Sequence, residues 1–204
     1  MRRWWVRLGV LAVVLVVVFV GIRRFAFLAV ERRGLIGAPN GSETPAAFGA
    51  PFEPLTITSG DRKLDATLVR APSDSAPALL IFHGTAEAIS YWADTQALLR
   101  RHGVTSMVFD YSGFGRSTGR ATVAHLQEDA DSAYAEFVRR IGGRARPYVL
   151  GYSLGTGVVF DAATVPKEMV VLRGDRHEAG HLDPTDDYWA PVVRFLRRGG
   201  PSLE

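Results

Sequence analysis

The stretch GYSLG (151–155) directly follows the short apolar run YVL (148–150) and has the form G-x-S-x-G. A strand that turns at once into a helix at such a motif holds its serine in a strained conformation with the hydroxyl exposed, and flanking glycines avoid a collision across the turn. The motif alone is weak evidence in a chain with 21 glycines. Its position between a predicted strand and a predicted helix makes Ser153 a candidate nucleophile.

The rest of the chain alternates between strand and helix patterns. An amphipathic hairpin is followed by continuous apolar runs of strand length, which are typical of central strands in a parallel sheet. The predicted strands are 51–60, 63–72, 78–84, 104–113, 146–153 and 168–174. The predicted helices are 91–103, 122–143 and 187–200, and another begins within 154–164. In the last helix, Pro191 fits only within the first turn. These patterns predict an α/β fold on an open, mostly parallel sheet flanked by helices.

Residues 1–33 are predicted to form an N-terminal membrane anchor. Arginines flank the uncharged run 8–22 on both sides. A cleaved signal peptide would end at a small-residue site, whereas this run ends in Gly-Ile-Arg-Arg. With its apolar flanks the segment reaches the roughly 20 residues that cross a bilayer, so a single-pass transmembrane helix is favoured, with its orientation open. The Gly- and Pro-rich residues 34–51 indicate a linker, and 52–204 form the α/β domain.

The composition argues against several other classes of function. There is no cysteine, which excludes disulfides and thiolate metal sites. The net charge is only +3 and its arginines are dispersed, so nucleic acid is not an expected partner. Asp183, Asp186 and Asp187 are interpreted as the acidic start of the last helix rather than as a metal cluster beside His181. We therefore expect no metal and no organic cofactor.

The tripeptide HGT (83–85) ends a predicted strand at the same edge of the sheet as Ser153. Acyl transfer requires backbone N–H donors aimed at the developing oxyanion. We expect one donor from Leu154, at the start of the helix after the nucleophile, and a second from Thr85. His83 is interpreted as a residue that packs this loop, not as a catalytic group.

Two stretches, FHGTAEAISYWADTQALLRRHGVTSMVFDYSGFGRSTG (82–119) and VLGYSLGTGVV (149–159), resemble the α/β-hydrolases. The similarity is greatest to their membrane-anchored, single-domain branch, which is related to serine aminopeptidases, lysophospholipases and monoacylglycerol lipases. The resemblance implies a Ser–His–acid triad that hydrolyses esters, thioesters or small amides of a small-molecule or lipid-like acyl substrate.

In that family the triad histidine lies just after the last strand. His177 in GDRH has this spacing and is the favoured base, while His181 in AGHLDP also resembles the family's loop. Asp175 is the candidate acid. If GDRHE corresponds instead to the loop that carries the family's acid, Asp175 pairs with His181.

The chain departs from the family between the helix after Ser153 and the last strand. Residues 164–167 connect these elements directly, whereas one strand–helix–strand unit takes roughly 30 residues or more. We infer an internally shortened domain in which the usual acid has no counterpart and either a sheet edge or one helix-facing surface is left uncovered. The alternative to a serine hydrolase is therefore a catalytically impaired remnant that acts as a membrane-tethered binding module.

Overall fold

The N-terminal unit, residues 1–35, consists of one helix, α1 (Arg2–Gly34). The structure, a computed structural model, describes residues 2–162 and 185–198. Within α1, the 28 residues Arg7–Gly34 are apolar enough to cross a membrane. At 1.5 Å per residue they extend about 42 Å, against about 30 Å for a bilayer's hydrocarbon core. Length and composition thus allow α1 to span a bilayer.

In the second unit, residues 36–204, the described strands are β1 (Glu53–Ser59), β2 (Arg62–Val69), β3 (Ala78–Phe82), β4 (Thr105–Phe109) and β5 (Pro147–Gly151). They form one sheet with the order β1-β2-β4-β3-β5. β3, β4 and β5 are parallel, whereas β1 pairs antiparallel with β2 and β2 with β4. Among the described strands the sheet is therefore mixed, because the N-terminal hairpin extends one side of the expected parallel strands.

Helices cover both faces of this sheet: α2 (Ala93–Arg101), α3 (Val123–Ile141), α4 (Leu154–Ala162) and α5 (Asp186–Arg198). Side chains at Leu79 and Ile81 share one buried cluster with α2 and α5, while α3 contacts α4 together with β1 and β3. Successive residues of β3 point to opposite faces of the sheet, and because both faces are covered the whole strand is buried. The described residues also form 3₁₀ turns at Pro45–Phe48 and Ile89–Trp92.

The last helix contradicts the expectation for its proline. α5 begins at Asp186, so Pro191 lies in the second turn, where it has no N–H to donate to the preceding turn. The apolar face of α5 is nevertheless buried, and the rings of Trp92 and Trp189 lie 6.4 Å apart. Tertiary packing of this face outweighs the local cost of the proline.

Residues 36–51 are packed on the α/β unit although their composition is that of a linker. Pro45 and Ala50 are buried, and the 3₁₀ turn Pro45–Phe48 contacts α2. The five predicted strands between residues 51 and 153 are present, and the predicted strand 168–174 lies outside the described residues.

A buried ionic cluster ties β2 to α3 and to the loop after β4. Arg62 donates to Ser112 Oγ (2.8 Å) and to Asp129 Oδ1 (3.3 Å), and Asp129 Oδ2 accepts the Ser112 N–H (2.7 Å). Burial would lower the pKa of Arg62, but its hydrogen bond to Glu128 and the charge of Asp129 raise the pKa above its ordinary value. The guanidinium therefore stays charged, and the loop after β4 is held by two buried charges.

Replacing Arg62 with lysine is expected to lower the free energy of unfolding by about 1–3 kcal/mol. The single ammonium group of lysine cannot reproduce the forked guanidinium, which donates to Ser112 and Asp129 at once, so a buried polar group loses its partner. Urea unfolding measures the change. Arg116→Lys is the matched control, since Arg116 pairs with Asp65 at 2.8 Å but its side chain is 70% exposed. The control should change stability by less than about 1 kcal/mol, and an equal loss in both variants would contradict the importance of burial.

Candidate active site

Ser153 lies in the turn between β5 and α4, and its backbone is in the left-handed region with φ +50°. Only one other non-glycine residue among those described, Ala86, has a positive φ. A Cβ on Gly151 would lie 2.6 Å from the carbonyl oxygen of Gly155, and a Cβ on Gly155 would overlap the carbonyl oxygen of Phe82. The turn that presents Ser153 therefore requires glycine at both ends of the motif.

The loop that follows β3 lies directly against this turn. The Tyr152 N–H donates to the Phe82 carbonyl oxygen at 2.9 Å, which joins the end of β3 to the residue before Ser153. A Cβ on Gly84 would be 3.3 Å from the Cβ of Ser153. The structure thus brings the loop of Thr85 next to the candidate nucleophile, and Leu154 is the first residue of α4.

Glu87 is a site residue that the sequence patterns did not reveal. Its carboxylate accepts the Gly84 N–H at 2.9 Å and the Trp92 indole N–H at 3.2 Å. In a capping box, a glutamate side chain accepts the backbone N–H of the residue three positions before it. The spacing of Gly84 and Glu87 was therefore the signal in the sequence that could have indicated this hydrogen bond. The charged hydrogen bond ties this loop to the 3₁₀ turn before α2.

His83 and Asp110 form a fully buried pair beneath the loop. The His83 Nε2 lies 3.3 Å from the Asp110 Oδ1, and that oxygen accepts the Ile89 N–H at 2.9 Å. The imidazole packs against the rings of Tyr111 and Phe114, at centroid distances of 4.8 and 5.6 Å. The His83 side chain is fully buried and packs this loop.

Tyr111 is held in its protonated form by the same surroundings. Burial raises the pKa of Tyr111 well above its ordinary value, and the negative charges of Glu87, Asp110 and Asp129 raise it further. The phenol O–H donates to the His83 carbonyl oxygen at 3.1 Å. Tyr111 therefore acts as a fixed hydrogen-bond donor at the end of β3.

The predicted base and acid, His177, His181 and Asp175, lie outside the described residues, so their roles stay predictions. Asp186 and Asp187 occupy the first turn of α5, as expected of an acidic lead-in. Asp186 also contacts His102 at 2.7 Å. Within residues 2–162 and 185–198, no group of three or more His, Asp or Glu side chains has the arrangement of a metal site.

Several proteins resemble this chain in sequence. An uncharacterized protein of Mycobacterium tuberculosis (Rv2307c) is 28% identical over 208 residues, which cover 97% of this chain and 73% of that protein. Human protein ABHD12B is 37% identical over 97 residues, covering 47% of this chain and 26% of its own length. An uncharacterized membrane protein of Saccharomyces cerevisiae is 27% identical over 121 residues, covering 58% of this chain and 43% of that protein.

The fold is shared with solved hydrolase structures. The Pyrococcus furiosus esterase Pf2001 superposes with a TM-score of 0.53 and 21% identity, covering 62% of this chain and 50% of the esterase. The chain thus spans about half the length of that enzyme. Residues 77–199, more than half of the chain, match the family described as alpha/beta hydrolase fold. This match contains β3, the turn at Ser153 and α5, and the chain belongs to the alpha/beta hydrolase fold family.

Proposed function

We propose that this chain is a membrane-anchored serine hydrolase that cleaves acyl ester, thioester or small amide bonds. The observation that carries the proposal is the backbone of Ser153, a non-glycine residue at φ +50° between β5 and α4. Strained backbone of this kind persists where the surrounding structure enforces it, and it clusters at active sites. The esterase Pf2001 shares the fold, which supports hydrolysis as the reaction class.

The first half of the reaction transfers the acyl group to the protein. The Ser153 Oγ attacks the acyl carbonyl carbon while a histidine, His177 or His181, accepts the hydroxyl proton. The backbone N–H groups of Leu154 and Thr85 stabilise the negative charge that develops on the carbonyl oxygen. Collapse of the tetrahedral intermediate breaks the bond to the leaving alcohol, thiol or amine, which takes the proton from the imidazolium.

The second half returns the serine to its starting state. Water, deprotonated by the same histidine, attacks the acyl-serine carbonyl carbon. The bond from that carbon to the Ser153 Oγ then breaks, the Oγ takes the proton back from the imidazolium, and the carboxylic acid is released. Asp175 is the proposed carboxylate that orients this imidazole. Loss of such an orienting group can cost about 10⁴-fold in turnover without abolishing the chemistry.

The apolar helix α1 supports the membrane part of the proposal. It is long enough to span a bilayer, and the related yeast protein is described as a membrane protein. A hydrolase held at a bilayer meets amphiphilic molecules at high local concentration. The proposed substrate is accordingly a lipid-like or other small acyl compound.

Labelling by a fluorophosphonate tests this function. The reagent forms an Oγ–phosphorus bond with an activated serine and releases fluoride, and intact mass counts the adducts. The full chain in detergent micelles should gain one adduct, which Ser153→Ala removes. The control Ser132→Ala replaces a half-buried serine of α3, whose Oγ donates to the Glu128 carbonyl oxygen at 2.9 Å, and it should keep the adduct.

The same reagent distinguishes the candidate bases and the alternative function. Labelling should slow by several orders of magnitude in only one of His177→Ala and His181→Ala, and that histidine is the base. A folded wild-type chain that gains no adduct would contradict a serine hydrolase. The non-catalytic, membrane-tethered binding module would then be the better description.

A further inference from the structure

Residues 36–41 (IGAPNG), here named the strap, cross the loops at the carboxyl ends of β3 and β4. They follow α1, which ends at Gly34. We propose that the strap is a positioning element that fixes the loop carrying the Thr85 amide, the predicted oxyanion donor. This inference rests on the proposed hydrolase function and adds the segment after the anchor to its active site.

The main chain of Ile36 is hydrogen-bonded to two consecutive residues of the loop. Its carbonyl oxygen accepts the Ala86 N–H at 2.7 Å and the Thr85 hydroxyl at 3.2 Å, and its N–H donates to the Thr85 Oγ1 at 3.3 Å. Thr85 and Ala86 are both exposed, so core packing does not fix them. Ala86 is held at φ +56°, an unfavourable conformation for alanine. The bond to Ile36 supports this conformation directly beside Thr85.

The strap is itself fixed by the loop after β4. A Cβ on Gly37 would lie 2.8 Å from both the Gly113 carbonyl oxygen and the Phe114 Cα. The strap can therefore lie this close to the loop after β4 only with glycine at position 37. The next residue, Ala38, accepts the Gly115 N–H at 3.1 Å. The strap therefore rests on rigid backbone along one side while it contacts the exposed loop along the other.

The far end of the strap is held by the 3₁₀ turn before α2. The Asn40 side chain accepts the Ser90 N–H at 3.2 Å, and the Gly41 N–H donates to the Ser90 hydroxyl at 2.8 Å. With both ends attached, the strap cannot shift along the loop without breaking several hydrogen bonds.

These contacts indicate positioning rather than core formation. The Ile36 side chain is 54% exposed, so the residue contributes main-chain hydrogen bonds more than buried apolar surface. An oxyanion donor acts only when it lies about 2.7–3.1 Å from the developing charge, and a displacement of 1 Å can cost about 100-fold in rate. Small movements of Thr85 would therefore reduce turnover without unfolding the domain.

Variants of the full chain in detergent micelles test the strap. Gly37→Ala introduces a Cβ that displaces the strap, and Thr85→Val removes the hydroxyl that Ile36 engages. For both we expect kcat on a soluble acyl ester to fall by about 100-fold with KM nearly unchanged. Thr85→Ser keeps the hydroxyl and should restore most of the turnover. Gly143→Ala is the matched control, because a Cβ on Gly143 meets no atom within 4 Å.

Amide hydrogen exchange of the peptide 82–88 gives a second readout that does not depend on turnover. Exchange should be faster in Gly37→Ala and Thr85→Val than in the wild type, Thr85→Ser and Gly143→Ala. If Gly37→Ala and Thr85→Val both kept the wild-type kcat and the wild-type exchange rate, the positioning role of the strap would be overturned, while the proposed hydrolase function would stand. Equal loss in Thr85→Val and Thr85→Ser would overturn it too. A folded wild-type chain that does not hydrolyse the ester or react with fluorophosphonate would overturn the hydrolase function, and the strap's catalytic role with it.

Discussion

Glycine in place of Ser153 is expected to abolish hydrolysis and to raise the free energy of unfolding by about 1 kcal/mol. A non-glycine residue in a sparsely populated backbone region costs about 1–3 kcal/mol, and Ser153 is at φ +50°. Glycine adopts this conformation without a steric penalty, although its greater freedom in the unfolded chain offsets part of the gain. Removing the nucleophile should lower kcat by about 10⁶-fold. Urea unfolding and hydrolysis of a chromogenic acyl ester measure the two effects.

Ser153→Ala separates the hydroxyl from the backbone strain. It should lose as much activity as Ser153→Gly, yet leave the free energy of unfolding within about 0.5 kcal/mol of the wild type, because the Cβ remains. Equal stability of the two variants would show that the turn is not strained. Hydrolysis that survives in both would show that another group attacks the substrate.

The turn at Ser153 could be predicted from the sequence because its determinants are local. An apolar run, two glycines at fixed spacing and a helix start lie within a few residues of one another, and each has a steric reason. The hairpin β1–β2 was equally accessible, since its alternating pattern and its turn are continuous in the chain. Patterns of this kind predict which loops begin at the carboxyl ends of strands.

The strap could not be predicted in the same way. Its hydrogen bonds join Ile36 to Thr85 and Gly41 to Ser90, across 49 positions in each case, and in both the strap contributes a main-chain N–H, which is not specific to its residue type. A segment rich in glycine and proline carries no periodicity that would indicate a partner. The composition therefore indicated a linker, although the structure places the segment against the domain.

Long-range packing also explains the error at Pro191 and the omission of Glu87. The proline rule describes an isolated helix, and the burial of the Trp189 face against α2 overrides it. For Glu87 the sequence offers only its spacing from Gly84, and the hydrogen bond that its carboxylate accepts from the Trp92 indole, at 3.2 Å, becomes visible only in the structure. In both cases the deciding contact comes from a neighbouring element that the local pattern does not specify.

Alanine at Gly155 is expected to destabilise the domain by at least about 3 kcal/mol and to remove hydrolysis with it. Its Cβ would overlap the Phe82 carbonyl oxygen, which already accepts the Tyr152 N–H at 2.9 Å. Backbone cannot rotate away as a side chain can, so α4 or the end of β3 must move, and overpacking of this kind costs 1–3 kcal/mol or more. Either movement displaces Ser153 from the loop of Thr85. Urea unfolding and fluorophosphonate labelling measure the two losses.

Gly157 provides the matched control within the same helix. A Cβ at this position meets no atom within 4 Å, and the residue is exposed on α4. Gly157→Ala should therefore raise the free energy of unfolding by about 0.5–1 kcal/mol, because alanine is the better helix former, and should leave labelling unchanged. Two substitutions of identical chemistry, two residues apart, are thus expected to act in opposite directions. If Gly155→Ala proved as stable and as reactive as Gly157→Ala, the close approach of α4 to β3 would be refuted, and the steric basis of the Ser153 turn with it.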